Sequence, residues 1–209
     1  MIIYLSGAIV PVMFQHGIGA MLTPMMGNRP ALAGVVHAID TGCFAQPGAY
    51  SDGWYLDYLA ALAPHRKSCL FATAPDVVGD AAATLLRALP VLPKVRAAGY
   101  PAALVAQDGL EQLAVPWETF DCLFVGGTDA WKLSEAAYGL AAEAKARGKW
   151  LHLGRVNSLR RLRAAACAGY DSADGTFLKY GPTVNLPRVL GWLRELAERP
   201  TLPLWGHAA

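Results

Sequence analysis

Three aspartates, Asp40, Asp76 and Asp174, each close a short apolar run, in HAID (37–40), FATAPD (71–76) and YDSAD (170–174). Gln107 ends a fourth run, PAALVAQ; Gly126 and Gly127 end a fifth, DCLFVGG; and Arg155 and Asn157 follow a sixth, WLHLG. Carboxylates gathered in one site do nucleophilic or acid–base work, and an amide beside them reads a ligand's donors and acceptors. The stretch AGYDSADGTF carries a further carboxylate, Asp171, three positions before Asp174. Successive strand side chains point to opposite faces, so this odd spacing sends the two apart. Asp171 belongs to the start of the strand, and Asp174, beside Gly175, to its exit, where chemistry is placed. Two plainer readings stand beside this one: Asp174-Gly175 as a common turn pair, and Asp76 as the N-cap of a following helix.

These residues need elements to hold them. The apolar runs fall at 2–8, 34–40, 68–76, 101–108, 121–128, 150–156 and 170–177, and Ala/Leu-rich segments of helical period lie around 53–63, 79–98, 131–147, 158–168 and 185–198. Strand followed by helix in regular succession predicts parallel strands with crossover helices. No strand-to-helix junction carries GxGxxG or GxxxxGKS, which weakens a nucleotide-binding open sheet. A rim of polar residues at strand C-termini favours instead an α/β fold closed as a TIM-type (β/α)8 barrel. Seven strands are clear; either GIGAMLTPM (17–25) hides the eighth or the barrel is incomplete. No linker or internal repeat divides the 209 residues, so one barrel domain over 1–209 is expected.

Hydrophobic residues make up 54% of the chain and charged ones 16%, a composition that excludes disorder. Cys43, Cys69, Cys122 and Cys167 form no CxxC pair and no zinc-ligand spacing with histidine, so reduced, buried thiols in a cytoplasmic protein, with no metal, are expected. Residues 1–28 contain no Asp, Glu, Lys or Arg, yet Pro11, Gln15, His16, Gly17, Gly19 and Pro24 interrupt them too often for a membrane span. The net charge of +2 is small but uneven: Lys145, Arg147, Lys149, Arg155, Arg160, Arg161 and Arg163 stand between Glu143 and Asp171 with no acidic residue among them. His16, His37, His65 and His152 are unpatterned, and His152, inside a strand, reads as a satisfied interior histidine. Trp54, Tyr55 and Tyr58 fall at helical spacing and read as core.

Taken in order, the strand-end motifs resemble those of the tRNA-guanine transglycosylases. HAIDTGCF (37–44) is similar to the family's Asp-Ser-Gly-Gly-Phe strand end, with two changes, and FATAPDVVGD (71–80) to the strand whose aspartate recognises the base. ALVAQDG (103–109) matches the strand ending in a base-reading glutamine, LFVGGTD (123–129) the Gly-Gly strand, and WLHLGRVNS (150–158) the Leu-Met-Gly strand. GYDSADGTF (169–177) resembles Gly-x-Asp-x-x-Asp, whose second aspartate is the nucleophile. The tRNA enzymes also carry a CxCxxC…H zinc site and a C-terminal extension. After Asp174 this chain has 35 residues, no cysteine and only His207, so the resemblance falls on the branch that places 7-deazapurines in DNA.

What the resemblance implies is exchange of guanine in DNA for a free 7-deazaguanine base, with no cofactor, through a covalent Asp-glycosyl intermediate. Asp174 would be the nucleophile and Asp40 the general acid/base or its orienting partner. Asp76 and Gln107, with the Gly126 and Gly127 amides, would read the purine edge, and Phe44 would stack on the base. Arg155, Asn157, Ser158 and Arg160, where a strand exit meets a helix start, would contact phosphates, although a solvated helix face accounts equally for Arg160, Arg161 and Arg163. Two other readings remain: a nucleoside or nucleotide N-glycosidase in which water replaces the incoming base, and a non-catalytic partner subunit of a transglycosylase. Oligomeric state is left open.

Overall fold

Runs of three to five residues, mostly buried and too short for stable helices, pair side by side in this chain. The computed structural model describes residues 2–8, 11–26, 32–43, 48 and 50–198. Eight strands, β1 (Ile3–Ser6), β2 (Gly19–Leu22), β3 (His37–Ile39), β4 (Cys69–Thr73), β5 (Ala102–Ala106), β6 (Cys122–Val125), β7 (Trp150–Leu153) and β8 (Ser172–Gly175), pair in sequence order as a closed parallel barrel. Closure is made by β1 on β8, with Ile3 opposite Ser172, Leu5 opposite Asp174 and Ser6 opposite Gly175. The eighth strand is β2, inside the 17–25 segment, so the barrel is complete.

Side-chain alternation divides the strands between two cores. Leu5, Met21, Ala38, Phe71, Ala103 and Cys122 form a small inner cluster. Their strand neighbours, among them Tyr4, Ala20, Ile39, Ala72, Leu104 and Leu123, belong to a larger cluster shared with the helices. The helices are α1 (Pro11–Phe14), α2 (Asp52–Ala61), α3 (Ala81–Ala88), α4 (Leu92–Ala97), α5 (Glu135–Ala146), α6 (Leu159–Cys167) and α7 (Pro182–Glu198). Ser51, Asp80, Ser134 and Ser158 cap α2, α3, α5 and α6 by accepting from backbone N–H groups of the first turn. The helical stretch expected over 79–98 is two helices, because Pro90 lacks the N–H that a continuing helix would use, although Leu89 before it keeps helical torsion angles. Tyr55 and Tyr58 are core as expected and Cys43, Cys69 and Cys122 are buried free thiols, while Trp54 is 37% exposed and Cys167, the last residue of α6, is only partly buried.

At the β7–β8 exits the backbone is tightly packed. Tyr4 donates its hydroxyl to the Val156 carbonyl at 3.0 Å, and Val156 N–H donates to the Asp174 carbonyl at 2.6 Å. A Cβ on Gly175 would lie 2.5 Å from the Val156 carbonyl oxygen and 2.7 Å from Asn157 Oδ1, and would overlap the Tyr4 hydroxyl. Gly175 therefore serves close approach of backbone, not a turn. Gly175→Ala is expected to cost about 1–3 kcal/mol through forced displacement of this junction, read as a lower urea midpoint at unchanged slope.

Candidate active site

Asp174 leaves β8 pointing into the mouth of the barrel, with its side chain 14% exposed. One carboxylate oxygen, Oδ1, accepts from His152 Nε2 at 3.1 Å and from the Arg155 backbone N–H at 3.3 Å. Arg155 adopts a left-handed conformation with φ of 59°, unusual for a side-chain-bearing residue, and that turn of the chain aims its amide at Asp174. Its guanidinium crosses to the Gly127 carbonyl at 3.2 Å. No turn amide after Gly175 bonds to Asp174, so the turn-cap reading falls away. Asp171 sits at the other end of β8, accepting from Lys145 Nζ at 2.8 Å and from Leu151 N–H at 2.8 Å, a structural anchor as its spacing predicts.

Across the mouth, Asp76 and Gln107 form a locked pair. Gln107 Oε1 accepts from the N–H groups of Gly79 at 2.9 Å and Gly127 at 3.1 Å, which leaves Nε2 to donate to Asp76 Oδ2 at 2.6 Å. The Cys43 thiol lies 3.1 Å from the other oxygen, Asp76 Oδ1. Asp76 is not a helix cap; Asp80 holds that position on α3. The carboxylate of Asp40, one step beyond β3, has longer contacts among the described residues, with Thr73 Oγ1 at 3.3 Å and with Thr41 Oγ1 and Gly42 N–H at 3.4 Å. Burial, reinforced by the charges of Asp76 and Asp174, pushes its carboxyl up to about 6. Asp40, Asp76 and Asp174 thus influence one another within a single mouth.

Several residues expected to meet a ligand are engaged otherwise. The Gly126 N–H is used by the Ala106 carbonyl at 3.0 Å and that of Gly127 by Gln107, so neither amide is open to a purine. What their lack of side chain provides is room, since a Cβ on Gly126 would lie 2.8 Å from Val105 Cγ1. Asn157 Oδ1 accepts from Thr176 and Phe177 N–H groups at 2.8 and 3.0 Å, clamping the β7 exit to the β8 exit, and Ser158 Oγ caps α6. Both have structural partners in place of the phosphates expected for them. Phe44 lies outside the described residues.

The basic run 145–163 does not form one surface. Lys145 pairs with Asp171 and Arg147 with Glu143 near the strand starts, Arg161 with Asp129 at 2.7 Å, and Arg163 with Glu195 on α7. Beneath the β7 exit, Lys132 is buried, donating to the Gly154 carbonyl at 3.2 Å and pairing with Asp129 at 2.9 Å. Hydrogen bonds from Arg161 and Lys132 hold Asp129 down at about 2. Arg155 and Arg160 remain exposed at the rim.

His152 is the satisfied interior histidine that the sequence suggests, but its contact with Asp174, like that of Cys43 with Asp76, is not anticipated there. The signal for His152 was parity: it alternates inward on β7 beside Ser172 and Asp174 on β8. Among the described residues no three His, Cys, Asp or Glu side chains are grouped as a metal site requires, and no helix is long and apolar enough to cross a membrane.

No protein-family model matches the chain, and no curated protein matches it. Among solved structures, it is similar to a chain of the tryptophan synthase complex from Pyrococcus furiosus, with TM-score 0.57 and 9% identity, over 93% of this chain and 97% of that one. It is also similar to a ligand-free tryptophan synthase from M. tuberculosis, with TM-score 0.53 and 16% identity, over 94% and 92% of the two chains. This likeness shows the fold: a TIM barrel. Both neighbours are enzymes, and TIM-barrel enzymes build their sites at the strand C-termini, the end at which Asp40, Asp76 and Asp174 meet.

The raised carboxyl of Asp40 sets a pH dependence of stability. Between the ordinary carboxylate range and about pH 6 the folded chain holds this proton more tightly than the unfolded chain, so stability from this site is lost as pH rises through that window. Asp40→Asn removes the ionisation. The variant is expected to exceed the wild type in unfolding free energy by about 1–3 kcal/mol at pH 8, a gain that disappears near pH 4 in urea titrations.

Proposed function

We propose that this protein is a base-exchange pentosyltransferase that replaces guanine in DNA with a 7-deazaguanine base. One observation carries the reading: three carboxylates from different strand ends share one barrel mouth, and one of them, Asp76, is held by the Gln107 amide on one oxygen and meets the weakly donating Cys43 thiol on the other. Cleaving an N-glycosidic bond through an oxocarbenium-like transition state calls for a carboxylate nucleophile and a second group that gives and takes a proton. Asp174 attacks C1′, the glycosidic electron pair leaves with guanine, and Asp40 supplies the proton that neutralises the departing base. The incoming base then attacks C1′, gives its proton to Asp40, and expels Asp174. A carboxyl titrating at about 6 is suited to both transfers near neutral pH.

Asp76 is complementary to the N1 and N2 hydrogens of guanine, which would displace the weakly donating Cys43 thiol from Oδ1. With the Gly126 and Gly127 amides engaged elsewhere, the second amide hydrogen of Gln107 is the donor proposed for the O6 carbonyl. Adenine would leave these buried groups unpaired and be rejected. Reaching C1′ in a duplex requires flipping the nucleotide, at a cost of a few kcal/mol, and phosphate contacts from the exposed Arg155 and Arg160 are proposed to offset it.

The reading is tested with duplex DNA labelled in guanine, incubated with and without a 7-deazaguanine base. Label release that requires the added base, together with a protein–DNA adduct on denaturing gels that Asp174→Asn abolishes, is the expected outcome. Release without added base would identify a glycosidase. Undiminished release by Asp174→Asn would remove the mechanism. Replacing Arg155 and Arg160 together by Ala should flatten the salt dependence of DNA binding by about two counterions, and an unchanged slope would place both off the DNA path.

A further inference from the structure

Beneath Asp174 a polar thread runs into an otherwise apolar barrel interior. Trp150 and His152 alternate inward on β7, as Ser172 and Asp174 do on β8, and His152 is paired with Ser172 in the sheet register. Trp150 Nε1 donates to Ser172 Oγ at 2.8 Å, Ser172 Oγ lies 2.8 Å from His152 Nδ1, and His152 Nε2 lies 3.1 Å from Asp174 Oδ1. His152 and Ser172 are both fully buried.

An indole N–H only donates, so the serine oxygen is the acceptor in the first contact. The hydroxyl hydrogen of Ser172 then has one partner among the described residues, His152 Nδ1, which makes that nitrogen an acceptor. The ring hydrogen is thereby placed on Nε2, facing Asp174. The Arg155 amide reaches the same oxygen, so both donors converge on Oδ1, while Oδ2 accepts no hydrogen bond among the described residues.

We propose that His152 is a positioning residue that, held as its Nε2–H tautomer by Ser172 and Trp150, anchors Asp174 through Oδ1 and leaves Oδ2 as the attacking oxygen. The proposal rests on Asp174 being the nucleophile. A purely structural role is the competing account, since the imidazole also packs between Phe71 and Phe124, with ring centroids at 4.9 and 4.5 Å. The two accounts part over chemistry at equal packing. Leu fills the space without donating, whereas Gln places an amide donor near the position of Nε2.

His152→Leu is expected to keep the wild-type melting temperature and the KM for DNA while lowering kcat for guanine release about 10- to 100-fold, the effect of losing one hydrogen bond to a charged group. His152→Gln should recover most of that loss. In the 15N-labelled wild-type protein, imidazole nitrogen shifts should report the Nε2–H tautomer, and Ser172→Ala should convert it to a mixture of tautomers. Wild-type kcat in His152→Leu, or an Nδ1–H tautomer in the wild type, would overturn the positioning role and leave base exchange standing. Full turnover by Asp174→Asn would instead overturn base exchange itself, whatever His152 does.

Discussion

Everything at the mouth of this barrel depends on the pairing of β1 with β8. That seam closes the sheet, and in a closed sheet the phase of each strand's two-residue alternation is fixed with respect to a common interior. Leu5 opposite Asp174 sets the inward phase of β8, and with it Ser172. The same parity carries His152 beside them on β7, Phe71 toward them from β4, and Asp40 beyond Ala38 on β3. A one-residue slip at the seam would turn Ala173 inward and send Asp174 into the helical layer, leaving Asp40 and Asp76 without their neighbour.

The three carboxylates gathered this way are not equally provided for. Asp174 has two donors on one oxygen, one of them from a backbone held in a left-handed turn. Asp76 has a short bond from Gln107 and a thiol on its other oxygen. Among the described residues the Asp40 carboxylate has contacts of 3.3 to 3.4 Å, and burial raises its proton affinity. Three like-charged groups at one mouth thus differ in how fully they are hydrogen-bonded, and burial with neighbouring negative charge raises the proton affinity of Asp40.

Much of this was legible in the sequence because a parallel barrel strand is a short apolar run followed by a polar residue, and that pattern marks Asp40, Asp76, Gln107 and Asp174 directly. β2 is harder to see: Gly19–Leu22 lies in an uncharged stretch with no helix of ordinary length among the described residues on either side to frame it. The partners of Gly126, Gly127, Asn157 and Ser158 are not legible in the sequence, for one physical reason. Backbone amides and small polar side chains at a crowded rim find partners within the chain before any ligand arrives, and those partners are set by tertiary contact, not by local sequence. The basic run is divided in the same way, since four of its seven charges, Lys145, Arg147, Arg161 and Arg163, lie toward both ends of the barrel and pair with Asp171, Glu143, Asp129 and Glu195.

The left-handed turn at Arg155 separates two duties within one residue. Its amide serves Asp174, while its guanidinium stands at the rim, and only the first depends on backbone geometry. Natural variation at this position can therefore retune what the rim meets without disturbing the carboxylate below, provided the replacement accepts a positive φ. Glycine and asparagine meet that condition and β-branched residues do not, so the range of side chains open to drift here is set by a torsion angle more than by charge.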